Sequence, residues 1–251
     1  VAAVGLDDAQ LETFRREGAI GPFDLQLFTE NELKNVLETV RSRVLTSQSP
    51  WSGNPNQGRH LDWRIVYELC TAPAIVDRIA AILGGDLLLW QSNIFVKTPL
   101  DRAFPWHQDA NFWPMEPKVN VSAWIALTDS TRENGCLEIL PGSHKTFLPH
   151  RQTAPGEFDV RFGEQAVDET QADFSIQRAL PLRAGQFFLF NERTLHRSGQ
   201  NRTNSERIGL TARYTVPIVK TYANQPVIVV RGRDTLHFND EAQPPPEKPP
   251  L

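Results

Sequence analysis

The chain has 251 residues, 40% of them hydrophobic, and a formal net charge of −4. That length and apolar content fit one large domain with its own core, and the mild negative charge gives no general attraction to nucleic acid or to anionic membranes. The longest apolar runs fall far short of the roughly 20 residues that cross a bilayer. Cys70 and Cys136 are too few for a disulfide framework and lack metal-ligand spacing. The opening Val1-Ala-Ala-Val-Gly-Leu has no basic segment followed by an apolar one. The expectation is a cytoplasmic protein, monomeric or a weak homo-oligomer.

Residues 1–85 read as mainly helical. Asp7 to Glu17 carries Leu11 and Phe14 among charged residues, and Gly18 ends it. Thr29 with Glu32 three positions on makes a capping-box pattern, and Leu33, Val36, Leu37 and Val40 then recur at helical spacing. Ser49 to Gly58 is a loop by composition. Thr71-Ala-Pro opens a third helix with proline in its first turn, and Ile75, Ile79, Ile82 and Leu83 form its stripe before Gly84-Gly85.

From Asp86 the pattern changes to short β candidates at 87–97, 119–127, 136–140, 186–190, 195–197 and 207–216. Turn signals such as Glu133-Asn-Gly and Pro141-Gly-Ser separate them. The prediction is a mainly β protein with flanking helices and a jelly-roll core over 86–217. Residues from about 144 to 178 read as a polar insertion. Residues 218–251 form a C-terminal extension ending in the non-helical run Pro244-Pro-Pro-Glu-Lys-Pro-Pro, expected to lie extended against the body.

The strands alternate. Val121, Ala123, Ile125 and Leu127 share one face, opposite Asn120, Ser122 and Trp124. Gln91, Asn93, Phe95 and Lys97 share a face, and Arg207, Gly209, Thr211, Arg213 and Thr215 oppose Ile208, Leu210, Ala212 and Tyr214. Such polar faces either meet solvent or line a cavity.

His107, Gln108 and Asp109 stand in Phe104-Pro-Trp-His-Gln-Asp-Ala-Asn-Phe-Trp, and His196 follows 87 residues beyond Asp109. Two imidazoles and one carboxylate are the facial triad that holds Fe(II) and leaves positions open. On a strand, the side chains at 107 and 109 share a face. His60, His144, His150 and His237 read as structural or solvated. Ser198 faces the same way as His196, and Arg207 comes eleven residues after His196 beyond the turn-rich 199–204. A hairpin there carries Arg207 into a cavity, where an unpaired guanidinium needs an anion. The planar fork of arginine suits a carboxylate. With the triad in place, the polar faces read as cavity wall.

Six ordered blocks carry a resemblance: Gln91-Ser-Asn-Ile-Phe-Val-Lys, Trp106-His-Gln-Asp, Trp124-Ile-Ala-Leu, Glu133-Asn-Gly-Cys-Leu, Leu140-Pro-Gly-Ser-His and Leu195-His-Arg-Ser-Gly-Gln-Asn, closed by Arg207. Over about residues 70–217 the sequence resembles the phytanoyl-CoA dioxygenase-like (PhyH) family of Fe(II)/2-oxoglutarate-dependent oxygenases. The resemblance implies one oxygenase domain over 1–251 with a double-stranded β-helix core, and Fe(II) on His107, Asp109 and His196. It implies 2-oxoglutarate held by Arg207 and Ser198, with Asn93, Trp124 and Lys97 along it, and O2 as co-reactant. The implied reaction oxidises a C–H bond of a small metabolite and releases succinate and CO2. Related halogenases carry a small residue in place of the carboxylate, so Asp109 argues for hydroxylation.

For the substrate, Phe104, Trp106, Phe112 and Trp113, with Met115, form either an apolar wall or core and lid packing. Gln91, Ser122 and Arg213 are polar candidates, with Arg213 suited to an anion, and the insertion around Arg151 and Arg161 is a candidate lid. The partner expected is a small molecule, with neither nucleic acid nor membrane. The rival reading is a non-catalytic jelly-roll binding protein with a vestigial metal site.

Overall fold

Local chemistry sets the helix ends in the computed structural model, which describes residues 5–158 and 165–247. Helix α1 (Asp8–Glu17) is capped by Asp7, whose carboxylate accepts from the Gln10 N–H at 2.8 Å while the Gln10 side chain accepts from the Asp7 N–H at 3.1 Å. Gly18, at φ 80°, closes it by donating its N–H to the Phe14 carbonyl. Helix α2 (Glu30–Thr39) begins with the same reciprocal pair between Thr29 and Glu32, then runs on through a π-helical turn at Val40–Val44. Helix α3 (Arg64–Cys70) has no side-chain cap, so its start carries no sequence signal. Helix α4 (Pro73–Leu83) has proline at its first turn, as its sequence predicts. Among the described residues no helix is long and apolar enough to cross a membrane.

The strands are β1 (Ala19–Asp24), β2 (Leu87–Lys97), β3 (Phe104–His107), β4 (Met115–Glu116), β5 (Val121–Ala126), β6 (Leu137–Ile139) and β7 (His150–Gln152). They continue with β8 (Gln165–Val167), β9 (Arg178–Leu180), β10 (Gln186–Asn191), β11 (His196–Ser198), β12 (Arg207–Thr215), β13 (Lys220–Thr221) and β14 (Ile228–Arg231). A larger antiparallel sheet runs β1-β10-β5-β12-β2-β14 and faces a smaller one, β3-β11-β6-β9. This is the jelly roll expected.

The sheet reaches past the expected boundaries. β1 lies within the segment read as helical and pairs with β10, while β14 lies in the C-terminal extension and pairs with β2. The insertion is not featureless: β7 and β8 form a hairpin, and Phe174 packs on Trp106 with ring centroids 5.0 Å apart. Arg161 lies outside the described residues. The start of the tail runs along the body, with the Ala242 N–H donated to the Val227 carbonyl at 2.8 Å. Cys70 and Cys136 are both free and buried.

One face of the larger sheet is covered by helices. Ala123, Ile125, Leu210 and Tyr214 pack with Val36, Val66, Ile75 and Ile79 in one apolar cluster. Each fully buried aliphatic side chain contributes about 1.5–3 kcal/mol. Tyr214 also donates its hydroxyl to the Cys70 carbonyl, pinning the end of α3 to the sheet. The opposite face is thereby left to the space between the sheets.

Buried Arg59 organises the segment that closes one side of that space. Its guanidinium donates to the carbonyls of Val44, Ser47 and Pro55 at 2.5, 2.7 and 3.0 Å and pairs with Asp62 at 2.9 Å. The loop so held presents Gln57, which bridges Asn93 of β2. Arg59→Met leaves those carbonyls and Asp62 without their donor, and is expected to lower the unfolding free energy by about 3 kcal/mol or more in urea titrations. An unchanged midpoint would show that the network holds nothing.

Candidate metal centre

Register brings the two histidines together. β11 lies antiparallel to β3 with His196 directly opposite His107, and their rings lie 4.1 Å apart between centroids. Asp109 arrives differently from the strand pairing expected. β3 ends at His107, and Asp109 opens a short 3-10 turn, so its side chain comes back toward the histidines through the turn. Asp109 Oδ1 lies 3.5 Å from His107 Nε2 and 3.8 Å from His196 Nε2. One ligand atom from each of the three residues falls within 4.8 Å of the others, and all three side chains are buried.

Gln108, between two of these residues, points the other way. It is fully buried; its amide donates to the carbonyls of Thr146 and Arg193 at 2.7 and 2.6 Å and accepts from the Leu148 N–H at 2.8 Å. The Gln108 N–H donates to His150 Nε2 at 3.1 Å, and His150 Nδ1 donates to the Leu148 carbonyl at 3.0 Å. The end of β3 is thus tied to the segment just before His196 and to the insertion.

Proton placement favours a cation. His107 Nδ1 lies 2.9 Å from the Pro105 carbonyl and His196 Nδ1 lies 2.9 Å from the Thr194 carbonyl. A carbonyl only accepts, so each neutral imidazole carries its proton on Nδ1 and turns a bare Nε2 lone pair inward. Burial, helped by neighbouring His107, pushes His196 down to about 4, so it is neutral at physiological pH. Burial alone would raise the Asp109 carboxyl, but His196, His107 and Arg213 outweigh it and hold the group well below the usual carboxylate range. Lone pairs from two imidazoles and an ionised carboxylate therefore face one point, an arrangement that suits a divalent metal.

A cavity of about 290 Å³ opens beside them, at the lower end of ligand-pocket sizes. His107, Asp109 and His196 share its wall with Ser198 and Arg207. Arg207 is buried, donates Nη1 to the Gly135 carbonyl at 2.6 Å, and stacks 5.3 Å from the Trp124 ring. Room for that ring comes from Gly209, where a Cβ would lie 2.3 Å from a ring carbon. The Ser198 hydroxyl is buried without a hydrogen-bond partner among the described residues. An orphaned hydroxyl beside a buried guanidinium fits the carboxylate end of a dicarboxylic acid.

Asn93, Gln91 and Arg213 line the cavity from the larger sheet, and Phe104, Phe112 and Trp113 from the β3 side. Trp106, Ser122 and Lys97, expected beside them, do not reach the wall. Trp106 is packed with Leu140, Val167 and Leu195 under the Arg197 guanidinium, and Ser122 accepts from the Asn120 amide at 3.1 Å. Lys97 donates to the carbonyls of Arg102 and Gly199 at 2.9 and 2.6 Å, behind Phe104. Phe95 and Thr211 line the cavity on faces the alternation marks; Phe190, whose ring sits 5.0 Å from His196, lines it from β10, a strand with no such mark. Gln57, Leu137 and Arg197 also line it, without a local sequence signal.

A jelly roll whose facing strands gather two imidazoles and a carboxylate belongs to the class of β-helix proteins with a two-histidine, one-carboxylate centre. Comparison with known proteins narrows the class. The family model for phytanoyl-CoA dioxygenase (PhyH) matches residues 14–209, and the chain belongs to that family. The match begins within α1, so it takes in the N-terminal helices as well as the β core. An ectoine dioxygenase of Halomonas elongata is 32% identical over 226 residues, covering 80% of this chain and 68% of that protein. A Stutzerimonas stutzeri protein named "Probable alpha-ketoglutarate-dependent hypophosphite dioxygenase" is 30% identical over 188 residues, covering 70% and 64%. The chain spans about half to two thirds of the length of the curated relatives it matches. A solved structure described as "non-heme monooxygenase; ThoJ apo" superposes with a TM-score of 0.79 at 26% identity, covering 94% of this chain and 88% of that one.

Gln108→Leu removes the side-chain hydrogen bonds that tie the end of β3 to the segment before His196. Its affinity for Fe(II) or Ni(II), read by calorimetric titration, is expected to fall about 10- to 100-fold with the fold retained. Unchanged affinity would mean that the donors are held in place without it.

Proposed function

We propose that the chain is an Fe(II)- and 2-oxoglutarate-dependent dioxygenase that hydroxylates a C–H bond of a small organic metabolite, acting as one domain over residues 1–251. The observation that carries this reading is the convergence of lone pairs from His107, Asp109 and His196 beside buried Arg207 and the orphaned Ser198 hydroxyl. In this reading the first three hold Fe(II). Arg207 and Ser198 take the far carboxylate of 2-oxoglutarate, while Asn93 and Trp124 flank its chain. Membership in a family with relatives named as dioxygenases supports the same assignment.

Bound there, iron with 2-oxoglutarate and O2 would supply the oxidising power, with decarboxylation of the oxo-acid to succinate and CO2. The protein supplies position and protonation state. The backbone carbonyls of Pro105 and Thr194 keep both imidazoles ready as ligands, and Asp109 is already ionised at neutral pH, with no proton to release when a cation binds. The aromatic walls at Phe104, Phe112, Trp113 and Phe190 limit water at the reacting carbon. A carboxylate at position 109 occupies the place that a halide would need, which favours hydroxylation. The setting that goes with this reading is a small-molecule substrate met in the cytoplasm by a monomer or weak homo-oligomer, without nucleic acid or membrane.

Mixed anaerobically with Fe(II) and 2-oxoglutarate, the wild type should develop the visible charge-transfer absorption of a chelated oxo-acid, and His196→Ala should not. Arg207→Met should weaken 2-oxoglutarate binding about 10- to 100-fold, the loss of charge-assisted hydrogen bonds worth about 1.5–3 kcal/mol. A wild type that binds metal yet gives no such absorption contradicts the proposal and leaves a non-catalytic binding protein.

A further inference from the structure

Two buried arginines share the cavity wall, and only one has a task in the function proposed above, on which this inference rests. Arg213 sits three alternations along β12 from Arg207, opposite Gln91 of β2 in register. Its Nη1 donates to Gln91 Oε1 at 2.9 Å. Its side-on edge is not engaged: Nε is buried without a partner, and Nη2 stops 3.8 Å from Asp109 Oδ2, beyond hydrogen-bond distance. The guanidinium lies over the Trp113 ring, 5.0 Å from its centroid, a contact that supplies no counter-charge.

The charge count of the cavity leaves its two buried guanidiniums one negative charge short, Asp109 at 3.8 Å being the ion-pair partner of Arg213. Asp109 is the one carboxylate on the wall among the described residues. Arg197, also on the wall, is matched by Glu138 at 2.8 Å. Glu192 lies behind the wall, 4.0 Å from Arg193, with its carboxylate accepting from the Asn120 N–H. A dication and a dianionic cosubstrate cancel one another. Asp109 then balances one guanidinium and leaves the other uncompensated in a buried site, a costly state. The missing charge is single and negative, and the free edge of Arg213 is the planar fork that takes both oxygens of a carboxylate.

We propose that the substrate is a small monocarboxylate with an apolar body, its carboxylate held by Arg213 and Gln91 and its body packed against Phe104, Phe112 and Trp113. Gln91, whose Oε1 orients Nη1, offers its amide N–H groups to the same carboxylate. Metal and cosubstrate cancel, so the anion completes the charge balance with both of them bound. Because Arg213 adjoins Asp109, the oxidised carbon lies within a few bonds of the carboxylate.

The full chain, saturated with Fe(II) and 2-oxoglutarate without oxygen, is titrated calorimetrically with phenylacetate and phenylacetamide, then with hexanoate and hexanamide. Each acid is expected to bind about ten-fold or more tightly than its uncharged amide. R213Q should lose that ratio, and R213K, which keeps the charge but not the fork, should retain part of it. Equal binding of acid and amide by the wild type, or no binding of either acid, overturns the proposal without recourse to any variant. So does a ratio that R213Q leaves intact. The charge-transfer absorption is recorded on the same samples and the acid-to-amide ratio is read whether or not it forms, so failure of the oxygenase reading and failure of this one are distinguishable.

Discussion

The cross-strand pair His107–His196 is the constraint on which the rest of the site depends. Two residues far apart in the chain become neighbours only because β11 lies antiparallel to β3 in that register. A slip of one residue would turn one imidazole to the opposite face of the smaller sheet and leave no site. The register is held from both sides: β11 also pairs with β6, His196 opposite Ile139, and Gln108 ties the end of β3 to the Arg193 carbonyl. Asp109 needs no strand partner of its own, since the turn after β3 returns it to the pair.

The larger sheet does the complementary work. Its helix-covered face makes the core, and the alternation that buries Ile208, Leu210 and Ala212 there sends Arg207, Thr211 and Arg213 into the cavity. A single strand thus carries both arginines at fixed spacing across from the metal ligands. The cations thus stand on the larger sheet and the metal donors on or just after strands of the smaller one, with Arg213 reaching to 3.8 Å from Asp109.

Much of this was legible in the sequence, and the reasons are specific. The capping box at Thr29 and the first-turn proline at Pro73 marked helix starts because they act on the nearest turn. Alternation marked the cavity faces of β2, β5 and β12 because those strands lie in the interior of the sheet, with one face on the core and one on the cavity. β1 went unread because Gly21 and Pro22 interrupt its alternation at a sheet edge, where proline is tolerated. Gln57 reaches the wall through a loop folded around Arg59, a contact set with no local trace. Lys97 alternates in phase with Asn93, yet two carbonyls draw its ammonium away from the cavity. Period-two reasoning gives the face of a side chain and not the end of a long flexible one.

An anaerobic crystal structure of the chain soaked with Fe(II) tests the central claim most directly. The account predicts one ion bound by His107 Nε2, His196 Nε2 and the Asp109 carboxylate, with no fourth protein ligand and the remaining positions open toward Arg207 and Arg213. An ion held through either Nδ1, an ion completed by a fourth side chain, or a triad that binds none would contradict it.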